Sequence, residues 1–135
     1  MDLLGGAPFQ RLESALHAAS LRQQVIANNI ANVDVPHFKR SDVVFEELLA
    51  SKLRDGQGTL PLRTFLPGHL PSGGGSVPEA RVVKDRSTTF NHNGNNVDID
   101  REMALMAKNQ LRYNLFVQQI NHEIRMLRMG ITGGR

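Results

Sequence analysis

Over residues 98–129 the chain carries neither Pro nor Gly, and its apolar residues step by four and three. Ile99, Met103, Met106, Tyr113, Val117, Ile120, Ile124 and Leu127 follow this spacing, Ile131 extends it, and Gln110 takes the place between Met106 and Tyr113. Such a spacing is a heptad seam and predicts one long helix. Asp98, Asp100 and Glu102 mark its start, because carboxylates are favoured at a helix N-terminus. Arg125, Arg128 and Gly130 mark its end. At 1.5 Å per residue this helix is about 48 Å long, too long for a compact domain of this size. A seam of that length needs a partner.

A second seam lies near the N-terminus. After Pro8, suited to a first helical turn, come Phe9, Leu12, Leu16, Ala19, Gln23, Ile26 and Ile30, again stepping by three and four. Pro36 disfavours helix at Val35, so this helix should stop near Asn32 or Val33. Periodicity alone also fits any amphipathic helix of a small bundle. The two seams pair within one chain if the helices run antiparallel with Gln23 opposite Gln110. Ile26 then falls beside Met106, Ile30 beside Met103 and Ala19 beside Tyr113. Leu16 meets Val117, Leu12 meets Ile120 and Phe9 meets Ile124. A polar layer in an apolar seam fixes register, because a slip leaves an amide facing hydrocarbon. Leu21, Val25, Leu105, Leu111, Leu115 and Phe116 lie off the seam and are expected to meet other subunits, since one partner helix cannot cover them all.

The middle of the chain is less regular. Val44, Phe45, Leu48, Leu49 and Leu53 fit one face of a short helix capped by Ser41 or Asp42, although residues 42–45 also suit an extended segment. Residues 55–78 hold most of the Gly and Pro and read as a flexible loop. Residues 80–90 suit a short strand, with residues 60–65 as its candidate partner. The expected fold is therefore mainly α. An elongated, coiled-coil-like antiparallel pair of long N- and C-terminal helices is joined by an irregular segment with a short helix and room for a short β-hairpin. Residues 1–33 and 97–131 form a discontinuous helical core, 34–96 a joint and connection, and 132–135 a tail.

Little chemistry is visible. No Cys is present, which excludes disulfides and thiolate zinc sites. The five His do not pair at ligand spacing, and no nucleophile or phosphate-binding motif occurs. Residues 91–100 are rich in Asn and Asp. Setting Gly94 at the sixth position of a calcium loop, however, puts Thr89 first and Asp100 last, where Asp and Glu are needed. A turn feeding the cap of the last helix is the better reading. We expect no catalytic residue, cofactor or metal. A formal charge of +3 without a basic face, and with no Trp, one Tyr and six Phe, argues against nucleic-acid binding. No run of apolar residues is long enough to span a membrane, no direct lipid binding is expected, and no secretory signal is evident.

Ala27-Asn28-Asn29-Ile30-Ala31-Asn32-Val33-Asp34-Val35-Pro36-His37-Phe38-Lys39 resembles the N-terminal signature of the bacterial flagellar axial proteins, the rod, hook and hook-associated subunits. Val35 stands where the family has Thr, and His37 where it has Gly. Asn28, Asn29, Asn32, Pro36, Phe38 and Lys39 form a joint, in which the three Asn are expected to satisfy helix-end and turn backbone groups. Gly94-Asn95-Asn96-Val97-Asp98 and Leu111-Arg112-Tyr113 are similar to the proximal rod members, and the chain is too short for the distal rod and hook subunits. The resemblance implies a non-enzymatic subunit of the proximal rod. It would assemble helically through its terminal helices to form part of the drive shaft and the export-channel wall. It implies export through the flagellar type III apparatus without a cleaved signal, and a place in the basal-body rod within the periplasmic space. Implied partners are further copies of the chain, other rod proteins, the adaptor FliE and the export gate. On the residues alone, a free helical hairpin binding one partner helix in a groove is the alternative.

Overall fold

A computed structural model describes residues 6–56, 77–90 and 92–133. Its elements are α1 (Ala7–Ala31), β1 (Ser41–Val44), α2 (Glu46–Gly56), β2 (Arg81–Lys84) and α3 (Ile99–Thr132). The mainly helical fold is as expected. Pro8 lies in the first turn of α1, whose end is closed by the N–H groups of Asn32 and Val33 donating to the carbonyls of Asn29 and Ile30. Asp98 caps α3, its side chain accepting from the N–H groups of Asp100 and Arg101. The far end of α3 differs from expectation. The helix runs through Gly130 to Thr132 and is closed by Gly133, whose φ of 68° is the left-handed geometry that suits glycine.

α1 and α3 run antiparallel, as contacts of Asn29 with Glu102 and of Ala19 and Gln23 with Asn109 require. The seam of α3 differs from the one predicted. Met106, Tyr113, Ile120 and Leu127 form one ladder of half-buried residues, as expected. The second ladder is Glu102, Asn109, Phe116 and Glu123, not Met103, Gln110, Val117 and Ile124. Glu102 and Asn109 are buried, whereas Met103, Gln110 and Ile124 are exposed, and Val117 is half-buried at the margin. Gln23 consequently faces Asn109, whose Nδ2 donates to its Oε1 at 3.0 Å, and Gln110 turns outward to bond Asn114. The inward face of the helix is turned by about 50°, half a residue step, because Glu102 and Asn109 find hydrogen-bond partners inside, although Asn109 Oδ1 has none among the described residues. On α1, Ile26 is buried and Phe9, Leu12, Leu16, Gln23 and Ile30 are half-buried.

The short helix starts at Glu46, not at Ser41. Residues 41–44 take the extended alternative as β1, and β2 pairs antiparallel with it, Ser41 opposite Lys84 and Val44 opposite Arg81. Residues 60–65, the expected partner of that strand, and residues 57–76 of the expected loop lie outside the described residues. Among the described residues the buried apolar ones are Ala18, Ala19, Ile26, Val43, Phe45 and Val97. Asn29, Arg40, Asn95, Asn96, Glu102 and Asn109 are buried among them. Among the described residues no helix is long and apolar enough to cross a membrane.

Candidate functional site

The two stretches with the strongest sequence signatures meet where α1 ends and α3 begins. Asn29 is fully buried there. Its Nδ2 donates to the Ser41 carbonyl (2.8 Å) and to Glu102 Oε2 (3.0 Å), while its Oδ1 accepts from the Ser41 N–H (3.0 Å). One amide thus closes the outer edge of β1 and ties α1 to α3. The other oxygen of Glu102, Oε1, accepts from Arg40 Nε at 3.0 Å, and Arg40 also reaches Asp42 at 3.3 Å. Both oxygens of a carboxylate that is 1% exposed are therefore satisfied, as a buried charge requires.

The turn before α3 locks onto this joint through two more amides. Asn95 Nδ2 donates toward the carbonyls of Asn32, Val33 and Val35 at 2.9–3.0 Å, and its Oδ1 accepts from the Val97 N–H at 2.7 Å. Asn96 sits at the open end of the two-stranded ladder. Its Oδ1 takes the Arg40 N–H (2.6 Å) and its Nδ2 gives to the Asp85 carbonyl (3.1 Å), replacing a backbone bond between those residues. The Asp85 N–H still donates to the Arg40 carbonyl at 2.9 Å. Nearby, Lys39 Nζ donates to the Thr88 carbonyl, and Lys84 lies over the Phe38 ring. The Asp85 carboxylate accepts from Thr88 and Ser87, which lowers its pKa to about 2.

His37 has φ 59°, so the left-handed backbone expected of Gly at this place is kept by a residue with a side chain. Its N–H donates to the Asn93 carbonyl, and its ring lies against Gly94, itself at φ 79°. A Cβ on Gly94 would come within 2.6 Å of the His37 ring. His37→Gly should raise stability by about 0.5–1 kcal/mol by removing left-handed strain. Thermal unfolding measures this; an unchanged or lower melting temperature would mean that the ring contact outweighs the strain.

Of the joint residues expected from sequence, Asn29 is central and Asn32 bonds the Asn28 carbonyl at 2.7 Å, while Asn28 and Pro36 are exposed. Arg40, Glu102 and Asn109 were missed as joint residues, and Asn95 and Asn96 were read only as part of the turn before the last helix. Glu102 and Asn109 stand seven residues apart, and that heptad step was the available signal. Farther along α1, Arg22 donates to both Glu46 oxygens (2.9 and 2.6 Å) and to the Val43 carbonyl, and Arg112 joins Glu46 at 3.2 Å. Burial opposes ionisation of Glu46. The Arg22 hydrogen bond, a backbone hydrogen bond and the two guanidinium charges outweigh it and hold the carboxyl below its usual range.

The residues expected to contact other subunits divide. Leu111 (72%) and Leu115 (62%) are strongly exposed on the side of α3 away from α1, joined there by Met126 and Met129. Leu21, Val25 and Leu105 are half-buried, and Phe116 belongs to the ladder facing α1. Among the described residues no group of His, Asp and Glu is placed to hold a metal ion.

Residues 9–39, covering α1 and the turn after it, match the family model described as flagella basal body rod protein. Over 135 residues, 100% of both chains, the sequence is 35% identical to the flagellar basal body rod protein FlgB of Bacillus subtilis (strain 168). The chain belongs to the FlgB family. FlgB of Borreliella burgdorferi is 42% identical over 112 residues, 79% of this chain and 82% of that one. FlgB of Escherichia coli (strain K12) is 29% identical over 116 residues, 84% of each. Membership in the FlgB family makes the chain a structural component of the flagellar basal body rod. The family-model match contains Asn29 but stops before Arg40, Asn95 and Glu102, so the joint extends beyond it on the α3 side.

Proposed function

We propose that this chain is a non-enzymatic subunit of the proximal rod, assembling helically through its terminal helices and contributing to the drive shaft and the wall of the export channel. The observation that carries this reading is the outer face of α3. Leu111, Leu115, Met126 and Met129 are exposed together on a helix whose opposite side is taken by α1. Large apolar side chains gathered on one exposed face mark an interaction surface. A head-to-tail contact with a rotation and a rise propagates into an open tube, whereas a closed dimer would not. The polar joint supports this role by tying the helical pair to the β1–β2 ribbon. Further copies of the chain, other rod proteins, FliE and the export gate are the partners on this reading. Export without a cleaved signal and a periplasmic rod location belong to it as well.

Size exclusion and circular dichroism of the purified chain, alone and mixed with other rod components, test the proposal. We expect a monomer whose helix termini gain order, and whose mass increases, when the other components are added. A fully helical, cooperatively melting monomer that stays monomeric in the mixture would instead favour a free hairpin that docks one partner helix.

A further inference from the structure

Among the asparagines of this chain, Asn93 alone is followed by glycine. The carboxamide of an asparagine reacts with the backbone nitrogen of the next residue when that nitrogen is unobstructed and free of a hydrogen bond, and when the carboxamide carbonyl is polarised. Each condition is met here. Gly94 has no Cβ to stand in the way, and its N–H donates to no group among the described residues. The Asn95 N–H donates to Asn93 Oδ1 at 3.1 Å and so draws electrons from Cγ, as an oxyanion-hole donor does. Asn93 itself is exposed. The other described asparagines are protected. Asn28, Asn29, Asn109, Asn114 and Asn121 lie within helices, where the following N–H is tied into the helical ladder. Asn32 and Asn96 precede valine, whose branched side chain crowds the nitrogen. Asn95 is buried with its amide engaged at both ends.

We propose that Asn93 is a covalent modification site, at which the side chain converts without an enzyme to isoaspartate and aspartate. The Gly94 nitrogen attacks Asn93 Cγ. A bond forms between them and closes a succinimide ring, the Cγ–Nδ2 bond breaks, the Gly94 amide proton passes to solvent, and Nδ2 leaves as ammonia. Water then opens the ring. Breaking the new bond to Cγ gives aspartate. Breaking the original peptide bond gives isoaspartate, in which the main chain runs through Cβ and Cγ. One water is consumed and one ammonia released in either case, and no oxidant or metal takes part. The two products differ in what they do to the joint. The Asn93 carbonyl accepts the His37 N–H at 3.0 Å, and two residues on Asn95 clamps the carbonyls of Asn32, Val33 and Val35. Aspartate keeps that carbonyl and the acceptor for the Asn95 N–H. Isoaspartate lengthens the chain between the two attachments, so the turn before α3 loosens from the end of α1. The inference does not depend on the outer face of α3.

Incubation of the full chain in mildly alkaline buffer, followed by peptide mapping with mass spectrometry, tests this, with the same chain unfolded in urea as the reference. The folded chain is expected to release ammonia and to show the amide-to-acid mass change at Asn93, about tenfold or more faster than at any other asparagine and within about tenfold of the unfolded rate. Fragmentation should identify both isoaspartate and aspartate. In the isoaspartate form the His37 amide should exchange about tenfold or more faster than in the parent. The variant Asn93→Asp, which keeps both acceptors, should leave His37 as protected as before. Conversion at Asn93 that stops when the chain folds, conversion that begins at another asparagine, or a product that is aspartate alone would each overturn the proposal. An isoaspartate form with the parent's protection at His37 would overturn the loosening of the joint.

Discussion

Replacing Glu102 with leucine should lower the free energy of unfolding by about 3 kcal/mol, the largest loss expected of any single exchange in this chain. The substitution removes no great volume. It strips the Arg40 guanidinium, whose side chain is 11% exposed, of its buried counter-charge and removes one acceptor from Asn29. Losing one member of a buried pair typically costs about 3–5 kcal/mol, because the other charge stays behind in low dielectric. The lower end applies because Asp42 lies 3.3 Å from Arg40 and can take over part of its role. Denaturant unfolding followed by circular dichroism measures the effect. The double variant Arg40→Met with Glu102→Leu should recover most of the loss, since an apolar pair of similar size carries no unpaired charge. A single-variant loss below about 1 kcal/mol would show that the joint does not depend on this pair.

Leu115→Asp should abolish motility while leaving the subunit folded. Leu115 is 62% exposed, so a carboxylate there stays in water in the free chain and changes stability by no more than about 0.5 kcal/mol. In an assembled rod that carboxylate would be desolvated against apolar neighbours without a partner, which costs several kcal/mol at every repeat of the contact. Swimming assays in a strain relying on the variant, with immunoblots to confirm that the protein is made, provide the readout. Leu115→Met should swim normally, because volume and apolar character are kept. Normal swimming of Leu115→Asp would remove the outer face of α3 from the interface.

The two substitutions probe opposite sides of one helix, and the sequence made only one of those sides easy to read. Leu111 and Leu115 stand out as apolar residues left over once a seam has been drawn. Glu102 resembles any carboxylate in the first turn of a helix, where the dipole and solvent account for it without a buried partner. Asn109 resembles a surface amide beside the more suggestive Gln110. The partners that bring them inside lie far along the chain: Arg40 is 62 residues from Glu102, and the Ala19 carbonyl is 90 residues from Asn109. Local periodicity carries no information at that separation. The same holds for β2, whose partner proved to be β1, the strand that follows the joint at the end of α1.

The sequence alone determined the existence, direction and approximate limits of α1 and α3, their antiparallel pairing, the joint after Asn32 and the capping role of Asp98. These rest on spacing, capping and Pro chemistry, which act within a few residues. Tertiary structure decided which of two ladders on α3 faces inward, that His37 keeps a left-handed backbone, and that side chains of α1 cover the outer edge of β1. Hydrophobicity ranks Met103 above Glu102 for burial. That ranking fails here because both Glu102 oxygens accept hydrogen bonds inside, from Asn29 and Arg40, and only the assembled fold supplies those bonds.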